Sequence, residues 1–171
     1  VAFVGRSNAG KSTALNVICG QNRLARTSNT PGRTQLINIF SMGEENRLID
    51  LPGYGFAKAP KHIQASWQDL IDGYLQSRDC IRGLVLLMDI RHPLEPIDKQ
   101  LLAWSAACNI PVLVLLSKAD KLKYGQAKNA LLHVQREIIH PDAQVILFSG
   151  LKRDGVEEAQ DKLDQWFEIQ P

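Results

Sequence analysis

The sequence predicts an α/β fold of three layers, with helices on both faces of a mostly parallel six-stranded sheet that contains one antiparallel strand. Three observations predict it. Short apolar runs suited to buried strands recur, helically spaced apolar residues lie between them, and one strand pair has a connection too short for a parallel crossover.

Residues 1–4 form the first strand, and the helix-compatible stretch 11–19 follows it. Residues 36–40 and 47–51 are the next two strands; only the turn at Gly43-Glu44-Glu45 separates them, so they pair as an antiparallel hairpin. Ile63, Trp67, Leu70, Ile71, Tyr74 and Leu75 then fall on one face of a helix. Strand 84–88 precedes a helix whose apolar face carries Ile97, Leu101, Trp104 and Cys108. Strand 112–116 precedes one carrying Ala127, Leu131, Val134 and Ile138. Strand 145–148 and a last helix with Val156, Ala159, Leu163, Trp166 and Phe167 on one side complete the pattern.

With 171 residues, 44% hydrophobic and 22% charged, the chain has the size and composition of one soluble globular domain. The expectation is a single unit over residues 1–171. Because it opens on Val1 rather than Met, short terminal extensions are expected to lie outside it. No apolar run is long enough to span a membrane. Cys19, Cys80 and Cys108 sit in apolar segments and are expected to be buried, reduced thiols, which fits a cytoplasmic location. The four histidines lack zinc-ligand spacing, and a net charge of +2 does not announce nucleic acid.

The most specific motif is Gly5-Arg6-Ser7-Asn8-Ala9-Gly10-Lys11-Ser12, which fits G-x-x-x-x-G-K-[ST] between a strand and a helix. Its glycines let backbone N–H groups turn inward around a phosphate, and the helix N-terminus adds a favourable dipole at Ser12 and Thr13. Lys11 is expected to reach the β- and γ-phosphates, and the Ser12 hydroxyl to ligate Mg²⁺. The loop alone does not choose between ATP and GTP.

Asp50-Leu51-Pro52-Gly53 ends the second hairpin strand as a DxxG element: Asp50 can hold a water on Mg²⁺ and the Gly53 N–H can meet the γ-phosphate. Loss of that phosphate would free the segment from Tyr54 to Lys61. Residues 21–33, polar and without periodicity, read as a first switch. Thr27, Ser28, Thr30 and Thr34 compete for its Mg²⁺ contact; Thr34, just before the strand, is the first choice and Thr30 the second. Gly32 joins Thr34 among the candidate nucleotide contacts, and Lys11, Thr34 and Gly53 are the candidate catalytic groups.

Ser117-Lys118-Ala119-Asp120 follows a strand where an [NT]KxD base-reading motif belongs. Asp120 can accept from both N1–H and the exocyclic amine of guanine, whereas adenine would leave the carboxylate unpaired, a mismatch that discriminates by about 10⁴. The Lys118 stem would pack along the ring. Ser149-Gly150-Leu151 follows the final strand, and the Gly150 N–H is a candidate donor to guanine O6. All these elements occur in order at predicted strand ends, which indicates GTP.

The chain closely resembles the EngB (YsxC/YihA) family of bacterial ribosome-biogenesis GTPases, within the TRAFAC class of P-loop GTPases. The likeness spans essentially the whole chain. It is carried by the phosphate loop, Thr30-Pro31-Gly32-Arg33-Thr34-Gln35, Asp50-Leu51-Pro52-Gly53-Tyr54-Gly55, Ser117-Lys118-Ala119-Asp120 and Phe148-Ser149-Gly150-Leu151-Lys152. Ser117 stands where that family usually has Thr. The resemblance implies a P-loop GTPase that assists assembly of the large ribosomal subunit through its RNA and proteins, with a link to cell septation; with no heptads or exposed apolar stripe in the sequence, a monomer is the default expectation. Arg33, Lys58, Lys61 and His62, in or beside the expected switches, are compatible with RNA phosphates or with ordinary solvated side chains.

Tyr54 occupies the place where Ras-like enzymes carry a water-orienting Gln, and a phenol lacks the amide's paired donor and acceptor, so slow intrinsic turnover is expected. Asn8 matches related GTPases that bind K⁺ beside the phosphates, though it could equally serve the loop's own hydrogen bonds. Competing readings are an ATP-using P-loop kinase, opposed by Asp120; a nucleotide-holding scaffold without hydrolysis; and a GTPase of another RNA process such as tRNA modification.

Overall fold

The computed structural model describes residues 1–21, 23–25, 37–55, 73 and 80–168. Its six strands are β1 (Ala2–Gly5), β2 (Asn38–Met42), β3 (Asn46–Asp50), β4 (Leu84–Asp89), β5 (Val112–Ser117) and β6 (Ala143–Leu147). Four helices are described: α1 (Lys11–Ile18), α2 (Pro96–Ala107), α3 (Tyr124–Glu137) and α4 (Val156–Phe167), with a 3₁₀ turn at Ala119–Lys121. The helix expected around Ile63–Leu75 lies outside the described residues, apart from the exposed Gly73.

The sheet order is β2-β3-β1-β4-β5-β6. β2 and β3 pair antiparallel, with Met42 opposite Asn46, and every other neighbouring pair is parallel. The hairpin expectation holds, but β2 runs two residues further than the apolar run suggested. Pairing continues to the mouth of the three-residue turn because backbone hydrogen bonds, which Ser41 makes as well as any residue, set the strand's end.

Strands β1, β4 and β5 are buried on both faces, as their unbroken apolar runs require. On one face Ala2, Val4, Leu86, Val114 and Leu116 pack with Leu101 and Leu102 of α2 and Ala127 and Val134 of α3. On the other, Phe3, Val85, Leu87, Leu113 and Leu115 pack with Ala14 and Leu15 of α1 and Ala159 and Leu163 of α4. β1 lies between β3 on one side and β4 on the other, and α/β sheets bind ligands beyond the carboxyl ends of the strands at such a switch point.

The cysteine expectation needs correction. All three thiols are free, but Cys80 and Cys108 are exposed and Cys19 is half-buried. Cys108 is the residue that caps α2, one position past the helix, so the period that placed it on the apolar face no longer applies there. No helix among the described residues is long and apolar enough to cross a membrane.

Candidate active site

The phosphate loop leaves β1 at Gly5 and enters α1 at Lys11. Asn8 (φ 64°) and Gly10 (φ 90°) adopt left-handed conformations, which Asn tolerates and Gly takes freely. Ala9 N–H closes the loop on the Arg6 carbonyl at 2.9 Å. The first-turn N–H groups of α1 face out of the helix end with no side-chain cap, the arrangement that receives anions.

Lys11 and Asp50 meet directly. The Lys11 ammonium donates to Asp50 Oδ1 in an ion pair whose side chains are 9% and 3% exposed. The ammonium expected to hold phosphate oxygens and the carboxylate expected to act on a divalent cation thus face the same small space. The carboxylate oxygen is the kind of hard ligand that Mg²⁺ takes. No cluster of three or more His, Cys, Asp or Glu occurs among the described residues, and Mg²⁺ is commonly held by few protein oxygens together with substrate phosphates. Ser12, half-buried at the start of α1, is the second candidate oxygen.

Gly53 sits on the phosphate loop: a Cβ there would lie 3.2 Å from both Cα and N of Ser7. Ser7 N–H donates to the Tyr54 carbonyl at 2.7 Å, and Tyr54 N–H to the Gly5 carbonyl at 3.3 Å. Of the expected second switch only Tyr54 and Gly55 are described, and Tyr54 is held. Its ring is 2% exposed in the core, and its hydroxyl donates to Asp98 Oδ1. Burial first, then the neighbouring Asp98 carboxylate, pushes the phenol well above its ordinary pKa, so it stays protonated. Burial likewise pushes the Asp98 carboxyl up to about 6, against the hydrogen bonds it accepts from Tyr54 and from Glu95 N–H.

At the end of β5, Ser117 stands where Asn or Thr is usual and ties two segments together. Its hydroxyl lies 2.5 Å from the Ala9 carbonyl and 3.1 Å from that of Met88, fastening β5 to the phosphate loop. Lys118, left-handed at φ 60°, donates to the Asn8 carbonyl at 2.6 Å and pairs with Asp89 at 3.0 Å. Burial would raise the Asp89 pKa, but hydrogen bonds from Arg91 and Lys118 outweigh it and hold the carboxyl well below the usual range. Ser149 Oγ donates to Asp120 Oδ1 at 2.7 Å; this bond chiefly lowers the Asp120 pKa and fixes its carboxylate as an acceptor. Gly150 packs so closely on α1 that a Cβ would lie 2.7 Å from Thr13 Cγ2, while Leu151 is exposed.

The candidates Gly5, Arg6, Ser7, Asn8, Ala9, Gly10, Lys11, Ser12, Thr13, Asp50, Gly53, Ser117, Lys118, Asp120, Ser149, Gly150 and Leu151 therefore lie on the phosphate loop, α1 and the strand-end segments joined to it. Gly32 and Thr34, with Thr27, Ser28, Thr30 and the basic residues Arg33, Lys58, Lys61 and His62, lie outside the described residues. Sequence reasoning missed three polar anchors. Asp89 ends an apolar strand, Glu95-x-x-Asp98 has capping-box spacing around Pro96, and Asn16 interrupts the buried face of α1. Asn16 exchanges two hydrogen bonds with the Ala25 backbone, at 2.7 and 2.9 Å, and so fixes the entrance to the expected first switch.

Residues 1–118 match the family model described as a 50S ribosome-binding GTPase. The chain is 56% identical over its whole length to a probable GTP-binding protein EngB of Yersinia enterocolitica, covering 80% of that protein. It is 55% identical over 98% of its length to the same-named protein of Idiomarina loihiensis, covering 82% of that one. The chain belongs to the EngB family of GTP-binding proteins.

As a member of the EngB family it is a GTP-binding protein and a GTPase. A crystal structure of a probable EngB protein superposes with a TM-score of 0.77 over 99% of this chain and 98% of that one; at 24% identity it attests the fold. Era in complex with MgGDPNP and nucleotides of 16S ribosomal RNA superposes at 0.70 with 26% identity, covering 96% of this chain and 55% of Era.

Proposed function

We propose that this EngB-family domain is a magnesium-dependent GTP switch, cytoplasmic and monomeric, that assists assembly of the large ribosomal subunit. Its single G domain spans residues 1–171. The observation that carries the nucleotide assignment is the Ser117–Ala9 bond, which ties the base-reading strand end to the phosphate loop, with Asp120 oriented by Ser149 beside it.

In this reading the backbone of Gly5 to Thr13 cradles the phosphates, Lys11 neutralises charge that develops on the transferring group, and Asp120 reads guanine while Lys118 covers the ring. Ser12, Asp50 and Thr34 would hold Mg²⁺, which when bound would offset the charge of the phosphates. Gly53 donates its N–H to the γ-phosphate, and Gly32 and Thr34 are the nucleotide contacts assigned to the first switch. With its ring buried, Tyr54 is not available to orient a water, which supports slow intrinsic turnover and activation by a partner or by K⁺ beside Asn8.

The ribosomal role is supported by the description of the matching family model. Co-sedimentation with large ribosomal subunits and their precursors tests it, in GDP and in a non-hydrolysable GTP analogue. Stronger binding with the analogue is expected. Equal or no binding in the two states would sink the ribosomal switch and leave the GTPase assignment standing.

A further inference from the structure

Beyond β3 the chain turns over the phosphate loop, and two backbone hydrogen bonds hold it there: Ser7 N–H to the Tyr54 carbonyl and Tyr54 N–H to the Gly5 carbonyl. Gly53 rides between them, packed on Ser7. The Tyr54 side chain extends that hold, passing through the core to Asp98 on the first turn of α2.

Asp98 is itself well held. Its Oδ2 accepts the Glu95 N–H at 2.9 Å in the capping box that starts α2, and Pro96 stiffens that turn. Arg6 of the phosphate loop reaches Glu95 at 3.3 Å, but both side chains are about 40% exposed, so this strut is weak. The buried bond carries the connection. A hydroxyl on a carboxyl that is 2% exposed has no water to replace it, and its loss would leave Asp98 without a partner on one oxygen.

We propose that Asp98 is a positioning residue for GTP hydrolysis: through the Tyr54 hydroxyl it orients the segment that seats Gly53 on the phosphate loop. The inference rests on the reading of Gly53 as a γ-phosphate donor. It gives Tyr54 a role that its place after the DxxG element did not suggest, that of a strut from the nucleotide site to the start of α2. GDP has no γ-phosphate, so the strut bears on the rate and hardly on GDP affinity.

Single-turnover GTP hydrolysis and GDP affinity, measured on wild type, Tyr54→Phe, Asp98→Ala, the double variant and Asp98→Asn, test it. Each of the first two single changes is expected to slow hydrolysis about 10-fold, a modest share of what misplacing a reacting group by an ångström can cost. GDP affinity stays within about twofold, and the double variant is no slower than Asp98→Ala alone, because that change already removes the Tyr54 bond together with the Glu95 N–H bond. Asp98→Asn keeps an acceptor for the hydroxyl and restores most of the rate. Additive losses, GDP affinity falling in step with the rate, or failure of Asn to rescue would each overturn the role of Asp98. A wild type that binds GTP and never hydrolyses it would overturn the switch reading together with this one.

Discussion

Lys11 and Asp50, 39 residues apart, close on each other as a buried ion pair at the junction of the phosphate loop and β3. Each is the partner that keeps the other's charge from standing alone in the core. Removing one partner of such a pair costs about 3–5 kcal/mol. Lys11→Ala should therefore lower the unfolding free energy of the nucleotide-free protein by that order, weaken GTP binding and abolish turnover. Denaturant unfolding with and without GDP checks this; a nucleotide-free stability equal to wild type would contradict the pairing.

Asp98 makes stability depend on pH in a defined window. Its pKa is near 6 in the folded protein against 3.8 in the unfolded chain, because burial disfavours its charged form. The stabilising contribution is complete below the unfolded value and is lost as pH rises through the folded one, so stability falls between about pH 4 and 6. The total is on the order of 2–3 kcal/mol. Arg6, Glu95 and Tyr54 are the groups that face it, and Arg6 opposes the rise. Asp98→Asn should flatten this part of the curve in urea titrations; an unchanged slope would show that another group titrates there.

Ser117→Ala removes the hydroxyl between β5 and the Ala9 carbonyl. An unsatisfied buried acceptor costs about 1–3 kcal/mol, and the loop it steadies is the one that receives phosphate. GDP affinity should drop about tenfold while Ser117→Thr retains it. Equal affinity in the alanine variant would mean that the tie is structural alone.

Hydrolysis in KCl and in NaCl at equal ionic strength tests the cation reading of Asn8. A clear acceleration in KCl, lost in Asn8→Ala, is expected. Identical rates would leave Asn8 as a residue chosen for its left-handed backbone (φ 64°).

The sheet was legible because strands such as Leu84–Asp89 and Val112–Ser117 are buried on both faces, and continuous apolar runs have few other uses. The phosphate loop was legible because Gly10 and Lys11 answer to a fixed geometric demand. What stayed hidden depends on pairing across the chain. Nothing local marks Asp98 as the partner of Tyr54, 44 residues away, or Asp89 as the anchor of Lys118. Cys108 misled because helical period was extended one residue past the helix end, where exposure is set by the cap. Ser117 shows the reverse case, in which a departure visible in the sequence keeps the hydroxyl that reaches the Ala9 carbonyl.

The most direct test of the nucleotide site is the base preference of Asp120→Asn. An amide in place of the Ser149-oriented carboxylate loses the acceptor pair for guanine and gains a donor for the C2 carbonyl of xanthine. Competition of GDP, XDP and ADP for wild type and variant should show GDP first for wild type and XDP first for the variant, with ADP poor for both. A folded variant that still prefers GDP would remove Asp120, and the strand-end assembly around it, from the nucleotide site.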